Sequence, residues 1–333
     1  MTNNVKAFKD FPCTGLAVDP IHVGTGGTRL GRVDNTIVRD PVTKVPKIPG
    51  SSLAGVYRAY AAMAKQEKDP ERKDANGQPQ PYYPDCAGQG APQSDGAGGH
   101  CGQATCAICA VFGHVTFAGL AAFSDAQVLL FPVATREGPV WVTCPEALRA
   151  AGVDGCGKID DNTVYRDREG NGHLNLGWLL LPAKPWNGDK KPLEDKLDIP
   201  CYITERLALV SDKLFTHVVN SNLEVRTSVS INPATGAAED GALFTYEALP
   251  RGTVLHWTIT CRNPKHFARN NDALKTPDCV HGVANKAHCY LKALGVGGMG
   301  ARGMGRVRVP ANGGGDTPCA EEAEQCKAEG VGS

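Results

Sequence analysis

The 333-residue sequence has no apolar run near the ~18 residues needed to cross a bilayer. Nor does Met1 to Asp10 contain an apolar leader, since Lys6, Lys9 and Asp10 interrupt it. No membrane association is expected, and the cytoplasm is the expected location. Net charge is also missing: 35 Lys and Arg balance 35 Asp and Glu. Overall charge therefore offers nothing to a polyanion, and any nucleic-acid contact must come from a local stripe. The sequence lacks a fixed-period repeat, a Gly-Lys-Ser/Thr phosphate loop and a His-Glu-x-x-His zinc motif. These absences speak against solenoids, P-loop nucleotide hydrolysis and zinc-dependent hydrolysis.

Cysteine is what the sequence has in excess, at 13 residues. An odd count without a leader does not suit a disulfide framework, which leaves metal binding to test. Cys106-Ala-Ile-Cys109 has the short spacing by which two thiolates share one tetrahedral ion. Cys86 and Cys101 complete a set of four, with His100 as an alternative to one of them. These residues lie in a polar insert, about 66–114, too rich in Gly, Pro, Asp and Gln to hold itself by apolar burial. A structural Zn2+ staple is expected there, and four protein ligands leave no open catalytic position. A looser group, Cys279, His281, His288 and Cys289, reads as ordinary core or surface.

Between His22 and Arg58 lie Arg29, Arg32, Arg39, Lys44, Lys47 and Arg58 against Asp34 and Asp40, six positive charges against two. Such a stretch is either a solvated face or a phosphate-binding stripe. Asp34, set among arginines, is either a turn aspartate or a group able to hold a divalent metal or accept a hydroxyl proton. Near the other end, Gly295-Val-Gly-Gly-Met-Gly-Ala-Arg-Gly-Met-Gly305 follows a helical pattern and precedes a short strand. Glycine lets backbone N–H groups approach a phosphate closely, although a flexible turn has the same composition.

Strands are expected at Thr14–Val18, Val115–Val133 with a break at Ser124-Asp125, Val140–Thr143, Leu174–Leu181, Ile203–Val210 and Val254–Cys261. Helices are expected after Ser51 or Ser52 as N-cap, after Ser211, and over Asn285–Leu294. Glu224–Ile231 and Ala242–Glu247 flank a polar tip and read as a long β-hairpin. Strands and helices interleave without a βαβ rhythm, so the fold class is α+β.

Taken together these segments resemble the RAMP (repeat-associated mysterious protein) superfamily of CRISPR-associated proteins, most closely its type III backbone subunits of the Cmr kind. The resemblance is carried by His22-Val-Gly-Thr-Gly-Gly, Gly31-Arg-Val-Asp-Asn-Thr-Ile-Val-Arg-Asp-Pro-Val-Thr43 and Pro46-Lys-Ile-Pro-Gly-Ser-Ser-Leu-Ala-Gly-Val-Tyr-Arg58. Phe112-Gly113, Phe123 to Val133, Val140 to Pro145, Gly241 to Pro250 and the glycine loop extend it over most of residues 14 to 309. It implies an RRM-like (ferredoxin-like) palm with inserted lobes, in one domain over 1–310, with a β-hairpin thumb at 222–250 and a disordered tail at 311–333. It also implies a subunit that stacks with further copies and other effector subunits along a guide RNA. The expected activity is cleavage of complementary target RNA at regular intervals. Asp34 matches the family's catalytic position, with Mg2+ or Mn2+ as its metal. His22, Lys47, Ser51, Ser52, Arg58, Gly298, Gly300 and Arg302 match the guide-binding face. The cysteine insert resembles the zinc-bearing backbones of Csm-type and fused relatives more than a Cmr subunit. A non-catalytic scaffold of the same complex is the alternative reading.

Overall fold

In the computed structural model the described residues are 6–310, apart from 27–32, 75, 89–99, 155–156, 158, 168–171, 187, 189, 240, 268–270 and 272. Arg29, Arg32 and the expected disordered tail at 311–333 lie outside them.

In chain order the strands are β1 (Phe8–Ala17), β2 (Lys47–Ile48), β3 (Ala121–Phe123), β4 (Ala126–Thr135), β5 (Gly138–Thr143), β6 (Val164–Arg166) and β7 (Gly172–Leu176). They continue with β8 (Leu179–Pro185), β9 (Leu207–Leu209), β10 (Glu224–Ser228), β11 (Phe244–Ala248), β12 (Val254–Arg262) and β13 (Val307–Arg308). Eleven of them form one mixed sheet, ordered β13-β1-β12-β4-β5-β9-β6-β8-β7, with β2 on β4 and β3 on β12. Most pairs are antiparallel; β5 with β9 and β6 with β8 are parallel. The helices are α1 (Gly50–Lys68), α2 (Ala107–Phe112), α3 (Pro145–Ala150), α4 (Lys191–Asp195), α5 (Cys201–Thr204), α6 (Asp212–Ser221), α7 (Pro277–Asn285) and α8 (Ala287–Ala293).

Burial explains the layering. β12 reads Val-Leu-His-Trp-Thr-Ile-Thr-Cys-Arg and is buried along most of its length, as befits a strand paired on both sides. Helix α7 packs on β1 and β12, while α1 packs on β3 and against α7 and α8. Leu53, Tyr57 and Ile259 join one large core there, and Tyr57, wholly buried, gives its hydroxyl a partner in His288 Nε2 at 2.9 Å. Each such large side chain contributes about 1.5–3 kcal/mol by leaving water. His281 stacks on Phe11 at 3.9 Å. The looser Cys/His group thus sends two of its members into packing.

Several local expectations change on folding. Helix α1 begins after Pro49 without a side-chain cap from Ser51 or Ser52; Asp125 Oδ1 instead accepts the Gly50 N–H at 2.8 Å. Leu174–Leu181 is not one strand but the hairpin β7–β8, turned at Gly177 with φ of 59°. Ile203–Val210 starts as helix α5 after Pro200 and becomes strand only at Leu207. Asn285–Leu294 is the end of α7 followed by α8. Other local expectations hold: Ser124-Asp125 separates β3 from β4, and Ser211 caps α6 by accepting the Leu214 N–H at 3.2 Å.

Candidate RNA-binding face and cysteine site

The glycine loop and the amino-terminal basic segment, nearly 280 residues apart, lie side by side. Gly298 donates its N–H to the His22 carbonyl at 2.8 Å, and Gly305 donates to Pro20 at 2.8 Å. On the other side of His22, Val38 N–H bonds the Val23 carbonyl at 2.9 Å and Lys47 N–H bonds Val38 at 3.1 Å. One ladder of backbone bonds therefore runs from the glycine loop through His22 to Lys47.

Glycines within that loop divide by function. A Cβ at Gly297 would collide with the His22 carbonyl oxygen, and one at Gly305 with that of Val296; both residues have positive φ, 87° and 93°. Those two glycines are required by packing. Gly298 and Gly300 are exposed, and an added Cβ would meet nothing closer than 3.5 Å and 3.8 Å. Their lack of a side chain serves no internal contact.

The hairpin β10–β11 rises beside this loop, in register from Glu224 opposite Ala248 to Ser228 opposite Phe244. Tyr246 and Ala248 bury themselves against Met304, with Phe244 and Met299 packed around them. The Arg302 guanidinium lies over the Phe244 ring, 5.6 Å from its centre. His22, itself buried, donates from Nδ1 to the Glu247 carbonyl at 2.6 Å. That bond fixes the tautomer and leaves Nε2 without the proton in the neutral ring.

Asp34 is anchored by the same hairpin. Its Oδ2 accepts the Thr245 N–H at 2.8 Å and the Thr245 hydroxyl at 2.9 Å, and Asn35 pairs with Tyr246 alongside. These bonds favour the ionised form and hold the carboxyl below its ordinary value. Among described residues no hydrogen bond goes to Oδ1. The neighbouring acid, Glu247, is already committed: its Oε2 pairs with Arg39 at 2.8 Å and accepts the Ile37 N–H at 3.3 Å.

The basic stretch is less free than its composition suggests. Lys47 sits between Asp125 at 2.6 Å and Asp40 at 3.5 Å. Ser51 is exposed and Ser52 half-buried at the start of α1. Arg58 lies away from this face: it is buried, donates to the carbonyls of Cys86 (2.7 Å) and Gly113 (2.9 Å), and approaches Cys109 Sγ at 3.7 Å. Expected on the guide-binding face, Arg58 instead belongs to the cysteine site.

That site is compact. The Sγ atoms of Cys86, Cys101, Cys106 and Cys109 all lie within 4.8 Å of one another. Cys101 and Cys109 are 3.6 Å apart, and Cys86 and Cys106 4.0 Å. A tetrahedron with ~2.3 Å metal–sulfur bonds has sulfur–sulfur edges of about 3.8 Å, so the four thiols fit a single ion. His100 is not part of the cluster; its ring lies beside that of His114, 6.2 Å away. Around the sulfurs the apolar packing is slight, with Ala61, Ala62, Tyr82 and Ile108 as the other buried members.

Thr245, Glu247, Asp125 and Arg72 were not picked out by sequence reasoning. Each acts on a partner distant in the chain or lies in a segment whose composition reads as loop.

A mixed sheet carrying a glycine-rich loop against an amino-terminal basic ladder, with a hairpin over both, defines the class of protein. The chain belongs to the RAMP superfamily, whose family profile matches residues 16–308. It is 27% identical over 318 residues to the CRISPR system Cmr endoribonuclease Cmr4 of Pyrococcus furiosus, covering 87% of this chain and 91% of that one. A segment of 54 residues, 16% of this chain and 24% of the relative, is 37% identical to the CRISPR system Cms endoribonuclease Csm3 of Streptococcus thermophilus. In fold it is similar to a subunit in the structure of the type III-B Cmr-beta complex bound to cognate target RNA, with a TM-score of 0.59 and 17% identity over 91% of this chain and 98% of the other. It is also similar to oligomeric Cmr4 from Pyrococcus furiosus, with a TM-score of 0.54 and 19% identity over 91% and 98%. Among the described residues no helix is long and apolar enough to cross a membrane.

Proposed function

We propose that this protein is a guide-RNA-binding backbone subunit of a type III CRISPR effector, and that it cleaves target RNA paired with the guide. The observation that carries this reading is the adjacency of the glycine loop, His22 and the Asp34-bearing segment under one hairpin. A ribose-phosphate strand laid across exposed Gly298 and Gly300 could approach the loop backbone closely, with no side chain in the way, and would then meet the basic ladder leading to Lys47. In this reading, residues 1–310 form one RRM-like domain, and β10–β11 is the thumb that displaces a nucleotide from the guide–target duplex. Copies of the chain stack with one another and with other effector subunits along the guide.

RNA cleaves when a 2′-oxygen attacks the adjacent phosphorus and the 5′-oxygen leaves, giving a 2′,3′-cyclic phosphate and a 5′-hydroxyl. Alignment of those three atoms is the larger part of the task, and a displaced nucleotide can supply it. Asp34 is held ionised by Thr245, which makes it a weak base but a steady anion. Its role is to orient the 2′-hydroxyl by accepting its hydrogen bond, or to hold Mg2+ or Mn2+, which would offset phosphate charge. Among the described residues Asp34 belongs to no group of three or more His, Cys or acidic side chains. Such an ion would therefore take most of its ligands from RNA and water, as magnesium commonly does.

In the cysteine site we assign a structural Zn2+, on the chemistry of four thiols at tetrahedral spacing. All four positions are protein ligands, so the ion stabilises the insert and takes no part in cleavage.

Asp34→Ala, assembled with guide RNA and given complementary target, should bind both RNAs and lose cutting. EDTA should stop the wild-type protein if a divalent cation acts. Loss of guide binding by Asp34→Ala would favour a second reading, suggested by the Thr245 bonds: Asp34 as the anchor of the hairpin in a non-catalytic scaffold.

A further inference from the structure

We propose that Arg58 and Arg72 are the paired counter-charges of the four-cysteine site, and that through Arg58 the occupied site sets the position of helix α1. The inference rests on the metal reading of that site and extends it to residues outside the ligand set.

Four thiolates around a divalent cation carry two net negative charges. Two guanidiniums face them. Arg72 sends Nη1 to Cys86 Sγ at 3.7 Å and Nη2 to Cys101 Sγ at 3.4 Å. Arg58 sends Nη2 to Cys109 Sγ at 3.7 Å. Three of the four sulfurs thus receive an arginine N–H, and the ensemble of ion, thiolates and arginines sums to zero. Among the described residues no carboxylate forms an ion pair with either arginine. A buried cation without an anion is costly, so the sulfurs are what make the buried Arg58 tolerable, while half-buried Arg72 keeps part of its hydration.

The geometry needs arginine specifically. Arg72 bridges two sulfurs with its planar fork while its flat face lies over the Tyr82 ring, 4.1 Å from the centre. Arg58 uses three different nitrogens for Cys86 O, Gly113 O and Cys109 Sγ, joining the middle and the carboxy-terminal end of the insert to one turn of α1. Lysine would keep the charge and lose that triangulation. Helix α1 also carries Ser51 and Ser52 at its start, so the insert and the proposed guide-binding end share one rigid element.

The test uses full-length chain purified with zinc. Bound zinc per chain is counted by elemental analysis, and its affinity is read by competition with a chromophoric chelator. Arg72→Gln should hold zinc about 10–100-fold more weakly than wild type, the usual effect of losing an outer partner of a metal ligand. Arg72→Lys should fall between. Equal affinity in Arg72→Gln overturns the counter-charge role; if that variant does not fold, equal affinity in the likewise uncharged Arg72→Leu does so. Wild-type chain without zinc would overturn the metal reading itself, a separate outcome. The link to α1 is read by hydrogen exchange of the Tyr57–Ala64 amides in wild type before and after chelation. Faster exchange is expected, and unchanged exchange overturns the coupling.

Discussion

Thr245 gives both its backbone N–H and its hydroxyl to one oxygen of Asp34, from a strand 211 residues further along the chain. The bonds favour the charged form of Asp34 and tie one of its carboxyl oxygens to the hairpin. Thr245→Val keeps the N–H and loses the hydroxyl. The carboxyl should then move back toward its ordinary value, and target cleavage should fall, though by less than in Asp34→Ala. For Asp34→Ala itself the expected loss is at least about a hundredfold, the lower end of what one positioned proton-handling group supplies. Rates of target cutting in guide-loaded protein check both.

Glycine substitutions separate packing from binding. Gly297→Ala and Gly305→Ala should lower the melting temperature, since each puts a Cβ into a carbonyl oxygen and forces a backbone costing roughly 1–3 kcal/mol on its own. Gly298→Ala and Gly300→Ala should melt like wild type and bind guide RNA more weakly, whatever the guide sequence. Wild-type RNA affinity in both of the latter would remove the glycine loop from the binding face.

Asp125 serves two neighbours at once, the Gly50 N–H and the Lys47 ammonium. Asp125→Ala removes a helix cap and should cost about 1 kcal/mol. Asp125→Asn keeps an acceptor for Gly50 while releasing Lys47, so it should melt close to wild type and bind RNA with a steeper salt dependence. Lys47→Ala should make that dependence shallower by about one unit of slope, the mark of one lost phosphate contact. Affinity titrations across several salt concentrations measure both changes.

Acid should destabilise the fold through two half-buried histidines. Burial pushes His281 down to about 4 and His288 to about 3. Between the ordinary value of about 6.5 and those values, the unfolded chain takes up protons that the folded chain refuses. Stability is therefore full above that window and falls as pH drops into it, by up to about 1.4 kcal/mol per pH unit for each histidine. Denaturant unfolding between pH 7 and 5 should show this slope, and His281→Phe, which keeps the stacking on Phe11, should reduce it.

Much of the framework was legible because it is local. Ser211 as a helix cap, the Ser124-Asp125 break, the strand over Val254–Cys261 and the cysteine spacing all depend on residues a few positions apart. Charge was read less well, because counting cations says nothing about which acids meet them. Arg39 is held by Glu247 and Lys47 by Asp125, both far along the chain, while Arg58 faces sulfur. Ser51 was a sound cap by residue type, yet tertiary contact brought Asp125 to the position first. The β7–β8 turn was missed because Gly177-Trp178 sits within an apolar run that reads equally well as one strand. Arg72 had no signal of its own in a segment of loop composition.

Strand β4 has one further consequence. Its first residues pair with β12 and β2, while Phe131 to Thr135 pair with β5. The lobe from β5 to β9 therefore grows out of the same ribbon that completes the central layer, and no cut between them falls in a linker. Excising that lobe would leave Phe131 and Val133 on a bare, water-facing rim, so shortened versions of this protein should clump rather than stay dispersed.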